Sequence, residues 1–193
     1  ISPDGKWGFV VGEQMREVLA LDLTTNQIVA PLVTTFQDVH GPIVHPLQRK
    51  LYLPQPLRSG MYVMTYDQMG VLGNPTTVDL VQGINPAQPG NLWPYKIVFS
   101  PDAAKYFVAC RNSNEVRVFN ALNDSLIQVV QVVDFPVEMA VSAATGHLLV
   151  ACQEDTTFVS GSATMRGSVA VINLQSGQLL RSLYTGFQPG AVG

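Results

Sequence analysis

The amino-acid sequence predicts an all-β protein, a β-propeller of four-stranded antiparallel blades, and three observations carry that expectation. A polar turn followed by an apolar run occurs four times: Ser2-Pro3-Asp4-Gly5 before Gly8 to Val11, His45-Pro46 before Leu51 to Leu53, Ser100-Pro101-Asp102 before Tyr106 to Cys110, and Ser142-Ala143 before Leu148 to Cys152. These turns, at residues 2, 45, 100 and 142, stand roughly 40–55 residues apart, the length of one four-stranded unit. Each unit then carries a β-rich run that closes on Asp or Asn, while helical periodicity is absent.

Taken in order, every unit supplies the same strands. The run after each polar turn is a second strand, and third strands begin at Glu17, Tyr62, Glu115 and Ser168. Asp22, Asp67, Asn120 and Asn173 close the third strands, with Asn26, Gly70, Asp124 and Gly177 shortly after. An Asx side chain accepts from nearby backbone amides while the later residue tolerates a left-handed φ, so each combination specifies a tight turn. Outer strands are expected at residues 28–33, 76–81, 126–132 and 179–184, and inner strands at 41–45, 97–100 and 139–142. Apolar residues of these strands pack between neighbouring blades, so each blade buries its faces only between two others.

No linker, charge block or low-complexity stretch divides the chain, so residues 1–193 read as a single propeller segment of four units. Pro189-Gly190-Ala191-Val192 matches Pro94 to Ile97 and Pro136 to Met139 in phase, and Ile1-Ser2-Pro3 would continue that pattern. A four-bladed ring closed by its own termini fits this match, and so does an incomplete arc of a larger ring. The arc is the expectation, because such repeats usually form larger rings.

Hydrophobic residues make up 47% of the chain, enough for a sizeable core. No apolar run approaches the roughly 18 residues that would suggest a membrane-spanning helix. A net charge of −3 offers no electrostatic footprint for nucleic acid, which is not expected as a partner. With no Gly-rich phosphate loop, GxSxG elbow or CxxCH haem site, the sequence names no reaction and calls for no cofactor within the segment.

Enlarged connections mark the expected recognition side. Residues 54–60, 82–94 and 153–167 are long, and strand direction puts all three on one face of the disc. The other face carries the short turns near Asp4, Pro46, Asp102 and Thr145. Loops enlarged on one side of a repeat array often form its binding side. That face is expected to bear Arg58, Trp93 and Met165, while His40, Tyr95, Lys96 and Glu138 align at the start of successive inner strands around the channel mouth. This group could bind a polar small ligand or orient a protein partner; a hydrated mouth without a ligand fits the same residues.

His40, His45 and His147 invite a metal reading, but a spacing of five on a strand sends His40 and His45 to opposite faces, so no metal site is expected. Glu154-Asp155 lacks further oxygen ligands at regular spacing and reads as a solvated loop. Cys110 and Cys152 occupy equivalent places in neighbouring blades, about 10 Å apart at sheet-packing distance and beyond disulfide reach. Buried free thiols are expected.

The Ser2–Lys6 turn, the Ser100–Cys110 stretch and the Val18–Val29 stretch resemble YVTN-type β-propeller repeat proteins, and the resemblance covers nearly the whole chain. It implies a ring of commonly seven blades and an extracellular or periplasmic location. His45-Pro46-Leu47 and Ala143-Ala144 depart from the repeat's usual turn. On this reading the chain is a non-enzymatic binding or scaffold module of an exported propeller, recognising protein or a surface ligand through the long-loop face. Its partners would then include the remaining blades of the same propeller. The alternative is the propeller portion of a periplasmic oxidoreductase, similar to amine dehydrogenase heavy subunits, with its cofactor elsewhere.

Overall fold

The computed structural model describes residues 1–12, 17–33, 38–81, 92–133, 135–159 and 162–185, with 30–33, 154–159 and 162–166 described by their backbone. The chain divides into two compact units, Ile1–Val81 and Gln82–Gly193. In the first unit, sheet 1 has the order β1 (Trp7–Gly12), β2 (Glu17–Asp22), β3 (Gln27–Val33), and sheet 2 has β4 (Ile43–Val44), β5 (Lys50–Gln55), β6 (Gly60–Thr65), β7 (Thr76–Asp79). In the second, sheet 3 comprises β8 (Pro94–Phe99), β9 (Lys105–Cys110), β10 (Glu115–Asn120) and β11 (Leu126–Gln131), and sheet 4 comprises β12 (Pro136–Ser142), β13 (His147–Val159), β14 (Ser162–Asn173) and β15 (Leu179–Tyr184). All pairings are antiparallel between consecutive strands. Sheet 1 has three strands among the described residues, and the segment at 189–192 that matches an inner strand in phase lies outside them.

Side-chain chemistry explains the repeated turns. Ser2 Oγ donates to Asp4 Oδ1 at 2.6 Å and accepts the Trp7 N–H at 2.9 Å. Ser100 repeats this with Asp102 at 2.6 Å and the Lys105 N–H at 3.0 Å. In the second repeat the buried His45 takes this place, its Nδ1 accepting the N–H groups of Leu47 and Gln48 at 3.1 Å each. An accepting Nδ1 requires the neutral ring with its proton on Nε2.

The turns after the third strands follow the sequence expectation. Asp22 Oδ1 accepts the Thr24 N–H at 2.8 Å, Asp67 Oδ1 the Met69 N–H at 2.8 Å, Asn120 Oδ1 the Leu122 N–H at 2.8 Å, and Asn173 Oδ1 the Ser176 N–H at 2.9 Å. Asn26, Gly70, Asp124 and Gly177 all have positive φ, from 56° to 78°. Gly70 is required twice over: its φ is 78°, and a Cβ there would lie 2.5 Å from the Trp7 ring.

Each unit buries a core between its two sheets. Trp7, Phe9, Val18 and Ala20 of sheet 1 meet Leu51, Leu53, Met64 and Tyr66 of the second sheet's segment, with the Phe9 and Tyr66 rings 4.7 Å apart. In the second unit, Phe107, Val116 and Val118 face Met139, Leu148, Val150, Ala170 and Ile172.

Three boundaries differ from the sequence reading. Residues 153–167, expected as a loop, continue the hairpin: Asp155 pairs with Arg166 and Val159 with Ser162, after a register shift beyond Cys152. The β-branched Thr156, Thr157, Val159 and Thr164 suit that extension. Connection 54–60 is instead the end of β5, a 3₁₀ turn at Pro56–Arg58 and Ser59 with φ 52°. Inner strands β8 and β12 begin at their prolines, three residues before the expected starts, whereas β4 is only two residues long.

Candidate functional site

Strands β8 and β12 enter their sheets in the same way. A left-handed aromatic residue precedes a proline in each, Trp93 (φ 52°) before Pro94 and Phe135 (φ 56°) before Pro136. Bulky residues seldom take positive φ, and a following proline restricts the backbone further, so the surroundings must hold the conformation. The Trp93 carbonyl accepts the Arg111 N–H at 2.9 Å, and the Phe135 carbonyl accepts the Gln153 N–H at 3.0 Å. Asp38 takes the matching place in the first unit with φ 53°. There Pro56 stands where Arg111 and Gln153 stand and has no N–H; the Leu57 N–H donates to the Asp38 carboxylate instead.

A β-bulge follows in both strands. The register shifts between Pro94 and Lys96, and again between Pro136 and Glu138, leaving Tyr95 and Val137 as the extra residues. A bulge bends its strand and re-aims the next side chain. Lys96 and Glu138 thereby meet, Nζ lying 2.9 Å and 3.0 Å from the two carboxylate oxygens. Glu138 Oε1 also accepts the Met139 N–H at 3.0 Å. Their side chains keep 38% and 26% exposure, so solvent screens the pair.

The residues singled out in sequence divide between the units. Trp93, Tyr95, Lys96 and Glu138 lie on one edge of the second. His40 and Arg58 belong to the first, where the His40 N–H donates to the Pro54 carbonyl at 3.0 Å. Exposed Arg58 lines a cavity of about 300 Å³ with Gln55, Gly60, Tyr62, Thr77 and Asp79. Met165 pairs with Thr156 through its backbone, and its side chain lies outside the described residues, as do residues 82–91 of the middle connection.

The short-turn end is not featureless either. Pro3, Asp4, Leu47, Gln48, Arg49 and Tyr66 line a cavity of about 370 Å³ in the first unit. Burial, followed by the Asp4 charge, pushes the Tyr66 hydroxyl above its usual pKa.

Two features escaped the sequence reading. Arg111 stacks near Phe135, its guanidinium carbon 5.2 Å from the ring centroid, and 6.0 Å from that of Tyr95. Glu115 and Arg117 form a buried ion pair at 2.5 Å, with Gln131 Nε2 donating to the second Glu115 oxygen at 3.2 Å. Their spacing of two on a strand places both on one face and was the available signal. Cys110, paired across the strands with Glu115, and Cys152 are both buried and neither forms a disulfide. Burial and then the Glu115 charge push the Cys110 thiol far up, leaving it a poor nucleophile. Among the described residues no group of three or more His, Cys, Asp or Glu side chains could hold a metal ion, and no helix is long and apolar enough to cross a membrane.

No protein-family model matches the chain, and no curated protein matches it by sequence. Solved structures do. Hydrazine synthase of Kuenenia stuttgartiensis is similar with a TM-score of 0.74 at 20% identity, over 96% of this chain and 48% of that one. A periplasmic gluconolactonase of Pseudomonas aeruginosa gives 0.73 at 22% identity, over 97% and 54%, and the Dos1 propeller gives 0.70 at 11%, over 96% and 46%. Likeness at these identities shows the fold, a β-propeller built of antiparallel sheets. The chain spans about half the length of the structures it matches.

Proposed function

We propose that the chain is a non-enzymatic binding or scaffold module of an exported, YVTN-type β-propeller protein, and that it forms an arc of a larger ring. Recognition of protein or a surface ligand runs through the long-loop face. The observation supporting this is the doubled entry of β8 and β12: two left-handed aromatic residues, two bulges and a solvent-reaching Lys96–Glu138 pair on one edge. Non-glycine residues in the left-handed region persist only where surroundings over-determine them, and such residues and bulges concentrate at ligand sites. The arc is supported by the half-length coverage of the matched propellers, and the exported location by the repeat resemblance.

Similarity to a hydrazine synthase favours a second reading, the propeller portion of a periplasmic oxidoreductase with its cofactor elsewhere. Sequencing the coding region on both sides separates the two. CxxCH motifs or a catalytic domain would support the enzyme; adhesive or sorting segments would support the scaffold.

The test of the binding reading is photocrosslinking in the source cells, with a photoreactive amino acid at Tyr95 or at Leu122, an exposed residue of the opposite end. A discrete adduct from position 95 alone is expected. An adduct from position 122 alone would overturn the face assignment.

A further inference from the structure

Arg111 is held in an unusual state for a partly buried cation. Its guanidinium carbon lies 5.2 Å from the centroid of the Phe135 ring and 6.0 Å from that of Tyr95, within reach of both aromatic faces. Yet its Nε is buried and has no hydrogen-bond acceptor among the described residues, and the buried indole Nε1 of Trp93 has none either. The two donors belong to residues joined directly by the 2.9 Å bond from the Arg111 N–H to the Trp93 carbonyl. Two carboxylates described in the same unit are already engaged, Glu138 by Lys96 and the Met139 N–H, and Glu115 by Arg117 and Gln131. Buried donors are almost always satisfied, so an acceptor from outside the protein would complete this edge.

We propose that Arg111 and the Trp93 indole form a subsite for a carboxylate group, flanked by Tyr95 and Phe135. The assignment rests on the recognition role proposed for this face and names its chemistry. A carboxylate is planar and offers two oxygens that match the donor fork of a guanidinium, and the aromatic flanks suit the carbon skeleton that carries it. That group can come from a free small-molecule acid or from an acidic side chain of a partner polypeptide.

The test follows the two indole N–H resonances of the full, ¹⁵N-labelled chain, with Trp7 as internal reference. Sodium benzoate and a tetraglutamate peptide are titrated, with sodium chloride at matched ionic strength as control. A saturable shift of the Trp93 signal, with Trp7 unmoved, is expected from at least one of the two carboxylates. Tighter benzoate binding assigns a free acid, and tighter peptide binding assigns an acidic partner side chain. Arg111→Gln should abolish the shift, and Arg111→Lys, which keeps the charge but loses the planar fork, should weaken it roughly tenfold. An equal response to chloride, no saturable shift in the unmodified chain, or full binding by R111K would overturn the subsite. If Tyr95 crosslinking persists when carboxylate binding is absent, the subsite fails and the binding face stands.

Discussion

Lys96 and Glu138 stand at matching places in neighbouring inner strands, each two residues past a proline, and their charges meet at 2.9 Å. The same bulge in β8 and β12 brings them there, so one backbone device used twice creates a cross-sheet contact.

That contact is weakly stabilising. Both side chains are partly exposed, so Lys96→Met or Glu138→Gln is expected to change the unfolding free energy by less than about 1 kcal/mol in urea melts. The swapped double variant K96E/E138K should return close to the parent value. A loss above about 2 kcal/mol for either single variant would mean that the pair holds the sheets together.

Acid sensitivity should come from the turns. Hydrogen bonds from Ser2, Thr24 and Ser100 hold the Asp4, Asp22 and Asp102 carboxyls below their usual range. A carboxyl lowered by folding contributes stability that is fully present above its unfolded value of 3.8 and is lost as pH falls through the lower folded value. Thermal melts should therefore show this contribution intact at neutral pH and declining below about pH 4. Asp102→Asn should flatten that acid limb, and an unchanged limb would contradict the assignment.

Gly70 and Gly5 separate backbone strain from overpacking. Both have positive φ, but a Cβ at Gly5 meets open space, whereas one at Gly70 meets Trp7. Gly5→Ala should cost about 1 kcal/mol and Gly70→Ala about 2–4 kcal/mol. Equal losses in denaturant melts would mean that Trp7 moves aside freely.

The turns were legible in the sequence because their chemistry is local: Asp22, Asp67, Asn120 and Asn173 each satisfy amides only a few residues away. The Glu115–Arg117 pair was not, since alternating polarity reads the same whether the polar face meets water or protein. Likewise, Arg111 gains its meaning from Phe135 in the next sheet, and the extension of β13 and β14 depends on pairing across a loop whose composition suits either state. The alignment of Lys96 and Glu138 could be read from their place in the repeat, but the bulges that join them leave no distinct residue signature.

Apolar side chains remain exposed on sheet 1 of the first unit and sheet 4 of the second. Val10 and Ile28 of sheet 1 are 49% and 59% exposed, and Leu180, Leu183 and Tyr184 of β15 are similarly open. Among the described residues β1 pairs only with β2, and in an open arc it would present an unpaired strand edge. Sedimentation velocity of the isolated 193-residue chain should show concentration-dependent association. A cooperatively melting monomer at all concentrations would support a closed four-bladed ring.

The most direct measurement is the affinity of the partner captured through Tyr95 for the parent chain and its charge-reversed variants. Lys96→Glu and Glu138→Lys are expected to weaken binding by about tenfold or more, a factor equivalent to about 1.4 kcal/mol, with the melting transition preserved. Lys105→Glu, at the start of β9 on the opposite end, should bind like the parent. Loss of binding in K105E with full retention in K96E and E138K would place recognition on the short-turn face and contradict the proposed role of the long-loop edge.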